Sequence, residues 1–443
     1  MVKTWVALGA PLALGLCWFA CSSQSSLRDA TPDAMAVDAA ANRGGTPATP
    51  PPPPPPLAPF VEKGLDWLCG AQQEDGGWGA GSHARQEIRD AHAVPTDPAT
   101  TAAAAMAFLR AGSRLDRGEY QEVLRKATDH LLRTVETAPE GPQITAQRGT
   151  QPQAKMGQNV DTAMAAQFFA RLLHETELDA ELRPRVTEAL DVCLRKIEAS
   201  QGQDGSWAAG GWAPVLQSAQ MSTALELAER AGRAIDKDKL ALARDYQRRQ
   251  VTATTTAGPG APAGELGFAP VADSAAAGVS LYASAANQRG VAAEAKAAEQ
   301  LVEAGKREGK VAADARVEEE TLVQLGVEPS AAQAMVLSVA QNTAAKTRAF
   351  DEDLLSGFGN NGGEEFLSYQ MKSEALVIDG GDEWAKWTAK MHERLAKVQN
   401  QDGSWSGHHC ITSPAFCTAA AIACLTADRD VEWLRHGAQL AAK

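Results

Sequence analysis

Three stretches of this 443-residue chain spell the same corner. Gln72-Gln73-Glu74-Asp75-Gly76-Gly77-Trp78, Gln201-Gly202-Gln203-Asp204-Gly205-Ser206-Trp207 and Gln399-Asn400-Gln401-Asp402-Gly403-Ser404-Trp405 share the pattern Q-x-x-D-G-[GS]-W. A weak motif met three times in equivalent surroundings is a repeat, and its units bury a core only by stacking on their neighbours. Each copy follows an amphipathic segment (Phe60 to Ala71, Arg185 to Ser200, Trp384 to Val398) and precedes a segment of small residues (Ala99 to Ala111, Ser218 to Arg230, Ser413 to Thr426). The Asp-Gly pair suits a tight turn, and Gln and Trp tie the two helix ends together. Nothing in the motif demands chemistry, so its residues read as architecture.

Between the clear copies the helix pair survives without its Trp. One such unit joins Gln121 to Val135 with Val160 to Leu173, another joins Leu240 to Arg249 with Asp273 to Ala286, and a last falls within residues 291 to 378. Six hairpins result, with an extra helical segment near residues 310 to 347 interrupting the last repeats. Alanine abundance, scarce β-branched runs and only 5% aromatic residues favour helices packed through small side chains. The small-residue helices, starting near Thr100, Asp161 with Thr162, Ser222 with Thr223, Asp273 with Ser274 and Thr418, read as an inner ring with polar caps. The longer helices, charged on one face at Glu122, Arg125 and Lys126, read as an outer ring.

On those residues the pattern resembles the QW-type repeat of squalene and hopene cyclases and of protein prenyltransferase β subunits, across residues 58–443. The resemblance implies an all-α fold: a closed α/α toroid of about six inner and six outer helices. It implies less about activity, because related toroids also occur without an isoprenoid substrate.

The first residues carry Lys3 and a mostly apolar stretch from Trp5 to Ala20, too short for a confident membrane span, so residues 1–21 are expected to be a signal peptide. Ala20-Cys21-Ser22-Ser23 resembles a bacterial lipoprotein box, with Cys21 as the lipidated residue, although Trp18 and Phe19 depart from the usual pattern. Residues 22–57 are rich in Pro, Ala and Ser and include the run Pro50 to Pro56, which suits a disordered, extended linker before the toroid. An exported, membrane-anchored lipoprotein, periplasmic or at the cell surface, is the expectation. A net charge of −13 with no offsetting basic patch excludes nucleic acid as a natural partner.

The chemistry is harder to read. Squalene-hopene-type cyclases protonate an alkene with a D-x-D-D motif, and this chain has no Asp-Asp pair. Prenyltransferases hold zinc with D-x-C and a distant His. The one D-x-C, Asp191-Val192-Cys193, falls mid-helix before the second Trp corner and reads as chance. His408, His409 and Cys410, with Asp351 and Asp353 upstream, form a ligand-capable cluster for zinc; the alternative is a Cys410–Cys417 disulfide. Cys69, Cys193 and Cys424 read as inert core thiols. The loop through Asn360, Asn361 and Gly362 to Glu364 is a candidate ligand-binding segment. Glu365 is a candidate acid or base, with Asp161 or Asp273 as partner.

Three readings follow. The first is a toroid binding an unknown ligand or protein at its central cavity; the second, a cyclase-like or prenyltransferase-like enzyme; the third, a polysaccharide lyase or hydrolase. An aromatic-lined apolar cavity points to an isoprenoid, a polar groove crossed by carboxylates and Trp to a glycan, and a filled ring to a structural role.

Overall fold

In the helix Gln121–Glu136, the buried residues Leu124, Ala127, Thr128, Leu131, Leu132 and Val135 recur every three or four positions, while Arg125, Lys126 and Arg133 face water. That stripe is the outer-layer pattern. In Pro98–Ala111, by contrast, every residue from Pro98 to Arg110 is buried, and six of the residues there are alanines. Only small side chains let a helix be enclosed by neighbours on every side.

The computed structural model describes residues 56–440 apart from 176–177, 209, 256–265, 271–278 and 360. The expected signal peptide, Cys21 and most of the proline linker lie outside the described residues.

Twelve helices alternate outside and inside. They are α1 (Pro59–Gly70), α2 (Pro98–Ala111), α3 (Gln121–Glu136), α4 (Val160–Leu173), α5 (Leu182–Ala199), α6 (Pro214–Arg230), α7 (Lys237–Arg249), α8 (Ser280–Arg307), α9 (Pro329–Thr347), α10 (Gly363–Asp379), α11 (Gly381–Val398) and α12 (Pro414–Leu425). The even-numbered helices form the inner ring: α2 packs on α4, α4 on α6, α6 on α8, α8 on α10, α10 on α12, and α12 returns to α2. The odd-numbered helices pack outside them. A last helix, α13 (Val431–Leu440), lies against α6, α8 and α10. The fold is an all-α toroid of the terpenoid cyclase and prenyltransferase kind. Its one departure among the described residues is an antiparallel pair, β1 (Val251–Thr255) with β2 (Leu266–Pro270), in the register Val251 opposite Pro270.

The Trp corners act as rivets. Trp78, Trp207 and Trp405 are buried, and each indole N–H donates 2.8–2.9 Å to a carbonyl ten residues back, of Leu68, Ile197 and Leu395. Their backbone N–H groups donate to the hydroxyls of Thr101, Ser218 and Thr418 on the following inner helix. Gln72, Gln201 and Gln399 reach the next outer helix, donating to the carbonyls of Val123, Lys239 and Phe60. The third of these bonds joins α11 to α1 and so closes the ring. The corner glycines have positive φ, and a Cβ on Gly76 or Gly205 would lie 2.4 or 2.2 Å from a backbone oxygen of the next outer helix. Only glycine fits both demands.

Two expectations need correction. Residues 310 to 347 do not interrupt the repeats, because α9 is the fifth outer helix; its buried face mixes Ala332 and Met335 with Ser338, Gln341 and Asn342, which hides the amphipathic signal. Thr100, Ser222 and Thr418 lie inside their helices rather than capping them, because Pro98, Pro214 and Pro414 start those helices earlier. Proline at the first position has the helical φ already set and lacks an N–H the helix would leave unpaired.

Candidate functional site

Charged side chains crowd one end of the toroid's interior. At the carboxyl ends of the inner helices nine side chains form one alternating chain: Arg114–Glu175–Arg171–Asp430–Arg110–Glu374–Arg289–Glu226–Arg230. It draws on α2, α4, α6, α8 and α10. Arg110 of α2 meets Glu374 of α10 at 2.5 Å with α12 between the two helices around the ring, so this pair crosses the interior. Nearer the middle, Gln167 of α4 donates to Gln220 of α6, whose amide lies 3.6 Å from the sulfur of Met371 on α10. Buried charges and amides thus cross the interior at this end and near its middle.

Loops cover the other end. Gln151 is fully buried and accepts from the backbone N–H of Thr412 at 2.6 Å and of Ser413 at 3.2 Å. Arg89 donates to the carbonyls of Gly407 and Thr412, and Gln86 to that of Cys410. The segments before α2, before α4 and before α12 are thereby laced over the amino-terminal ends of the inner helices.

That mouth gathers many of the candidate residues. Gly362 precedes α10, and Glu365 reaches back to accept from the Gly362 N–H at 2.9 Å. The other Glu365 oxygen accepts from the Phe358 N–H at 2.9 Å and the Tyr282 hydroxyl at 2.7 Å. Both oxygens are thus occupied in holding the loop, and Glu365 is a positioning group rather than a free acid. Glu364 differs. It is fully buried, one oxygen accepts from the Ile411 N–H at 3.2 Å, and Oε1 has no partner. Burial, then the Glu365 charge, push its pKa up to about 7, so near neutrality it is a half-protonated acid.

Of the two partners expected for Glu365, Asp161 is engaged elsewhere. Asp161 lies at the start of α4, accepting from the Ala99 N–H at 3.1 Å and the Gln153 amide at 2.7 Å. Its carboxylate neighbour is Asp97, the N-cap of α2, rather than Glu365. Burial and then the Asp161 charge push Asp97 up to about 7, and burial raises Asp161 as well. Asp97 escaped the sequence reading, although Asp97-Pro98 is a helix-start signature. Asp273 and Asn360 lie outside the described residues.

The ligand cluster is not assembled. Among the described residues no three His, Cys, Asp or Glu side chains converge as a metal site. His408 is exposed, His409 lies edge-on to Phe358 with ring centroids 5.4 Å apart, and Cys410 interacts with Glu364 at a positive φ of 61°. Asp351 is paired with Arg348 at the surface. Cys410 and Cys417 are free thiols, the latter 3.5 Å from the Ile411 carbonyl, so the alternative disulfide is not formed. Burial and the Glu364 charge push the Cys410 thiol up to about 12, which makes it a poor nucleophile. The D-x-C motif is split: Asp191 pairs with Arg233, and Cys193 is buried. Asn361, with a φ of 55°, offers its carbonyl to the His408 N–H at 2.8 Å.

What remains exposed is aromatic. Trp212 is 40% and Phe358 56% exposed, with ring centroids 5.5 Å apart. Buried Tyr282 backs Trp212 at 6.5 Å and half-buried His409 flanks Phe358 at 5.4 Å, so the two exposed rings form a ledge beside Glu364 and Glu365. Lys155 stands over Trp212, 5.8 Å from the ring centroid. No sequence motif marked Trp212, because it belongs to none of the three corners.

Residues 54–141 match the family model of the squalene-hopene cyclase C-terminal domain. They span the first hairpin, its Trp corner and α3. No curated protein matches the chain.

Proposed function

We propose, from the premise of a squalene cyclase-like toroid of the terpenoid cyclase and prenyltransferase superfamily, that this chain is an exported, membrane-anchored binding scaffold. Its ligand or partner engages the aromatic ledge at the mouth instead of entering the ring. One observation carries this reading: Trp212 and Phe358 stand exposed and in ring contact at the mouth, while buried ion pairs cross the interior at the other end. Exposed aromatic pairs supply large contact area at small entropic cost, which is why binding surfaces favour them. A cyclase reading lacks its acid motif.

A second reading draws on a different feature. Glu364, with a free oxygen and a pKa near 7, lies beside a Trp ledge, which is the equipment of a glycan-acting acid. Calorimetric titration of the full chain with soluble oligosaccharides and, separately, with isoprenoid alcohols tests both. Saturable heat from either class that vanishes in the W212A/F358A double variant supports the mouth as the site. Equal binding by wild type and variant contradicts it. Oligosaccharide cleavage lost in E364Q would select the glycan enzyme.

A further inference from the structure

The alternating chain of ion pairs ends on an arginine at both ends, so it carries five guanidinium groups against four carboxylates. At the Arg230 end the imbalance grows. Arg244 of α7 is close enough for its charge to act on both Glu226 and Arg230, and no carboxylate pairs with it among the ion pairs of the described residues. Three guanidinium groups, Arg230, Arg244 and Arg289, thus share Glu226. Two buried donors there are unpartnered: Arg230 Nε and Arg289 Nη2. An orphaned donor on a buried cation is costly unless something accepts from it.

The same place holds a small cavity of about 50 Å³, lined by Glu226, Glu229, Arg230, Arg244, Glu294 and Met335. The other acids on its wall have cations outside the cavity lining: Glu229 is paired with Lys237, and Glu294 with Arg248, which half-exposed Asp245 shares. The volume suits one small ion and excludes an organic substrate. Burial, only partly offset by Glu226, and then the Arg289 and Arg244 charges hold Arg230 down to about 10, which is the strain that a bound negative charge would relieve.

We propose that this cavity is a binding site for a small inorganic anion, from chloride to phosphate in size, held by Arg230 and Arg244 with Arg289 behind them. The site is separate from the mouth and does not depend on what binds there. Its occupant completes the charge balance at the end of the ion-pair chain and locks α6 to α7 and α8.

The test uses the full-length chain at neutral pH and constant ionic strength, replacing gluconate stepwise by chloride or by phosphate while the thermal unfolding midpoint is followed. A saturable rise in the midpoint is expected, since a ligand binding only the folded state stabilises it by mass action. Chloride alone, phosphate alone or competition between them identifies the occupant. R244Q should weaken the apparent affinity by roughly tenfold to a hundredfold, the loss of one charge-assisted contact, whereas R195Q on the exposed face of α5, which does not line the cavity, should leave it unchanged. No saturable rise with either anion, or the same rise in R244Q, would overturn the assignment. If R244Q does not fold, chlorine nuclear-resonance broadening on the wild type decides: broadening displaced by a competing anion supports the site, and its absence refutes it.

Discussion

Arg110 and Glu374 meet at 2.5 Å from helices that are not neighbours in the inner ring, and Glu374 is shared with Arg289 at 2.9 Å. The shared carboxylate sits within the charge network that crosses the interior. Burial alone would raise its pKa, but the two arginines hold it down to about 2. A group depressed in this way contributes stability that is present above its unfolded value of 4.5 and lost as pH falls toward 2. Glu374→Gln should cost about 3–5 kcal/mol at neutral pH, because two buried guanidinium groups lose their counter-charge. In urea titrations the gap between wild type and variant should narrow below pH 4.5.

The acids at the mouth respond with the opposite sign. Glu364 and Asp97 are raised to about 7 from 4.5 and 3.8, so each favours the folded state when protonated. The stability they contribute is complete below their unfolded values and declines as pH rises toward 7. Glu364→Gln should flatten that decline, and D97N should flatten it further. Midpoints of thermal unfolding between pH 4 and 8 check both signs; a wild type whose stability rises through this window equally with E364Q contradicts the assignment.

The Trp rivets should grade by what is removed. Trp405→Phe keeps most of the buried ring but loses the donor to Leu395, costing on the order of 1 kcal/mol for the bond beyond the packing change. W405A opens a cavity at the seam between α11 and α1 and should cost about 3–5 kcal/mol. Denaturant midpoints for the two variants measure the difference.

The proposed membrane attachment rests on one residue, Cys21. Cys21→Ala should move the protein from the membrane fraction to the soluble exported fraction and abolish incorporation of labelled palmitate, with no change in the far-ultraviolet signal of the helical ring.

Much of the ring was legible because its signals are local. Three Trp corners, the 3.6-residue stripes and the alanine-rich segments mark helices and their order without reference to anything distant. Helix α9 was obscured because its inward face carries Ser338, Gln341 and Asn342, which bond to neighbouring groups instead of spelling an apolar stripe. The β1–β2 pair falls in the connection between the Leu240 to Arg249 and Asp273 to Ala286 segments and was missed, although Val251 to Thr255 is rich in β-branched residues.

The site was less legible for a physical reason. Sequence proximity grouped His408, His409 and Cys410, yet a positive φ at Cys410 sends successive side chains apart. The groups that do meet come from far apart in the chain: Tyr282 with Glu365, Trp212 with Phe358, and Asp97 with Asp161. No short motif records such meetings.

The crossing of the interior by buried groups is the claim on which the functional account turns, and thiol accessibility tests it most directly. In a Cys69→Ser background, Met371→Cys places a thiol on the axis and Phe358→Cys one on the ledge, each counted against the unsubstituted background under native conditions. The account predicts rapid maleimide labelling at position 358 and labelling at position 371 only as fast as the protein unfolds. Equally rapid labelling at both positions would mean that the ring holds a solvent channel, and would return the ligand to its centre.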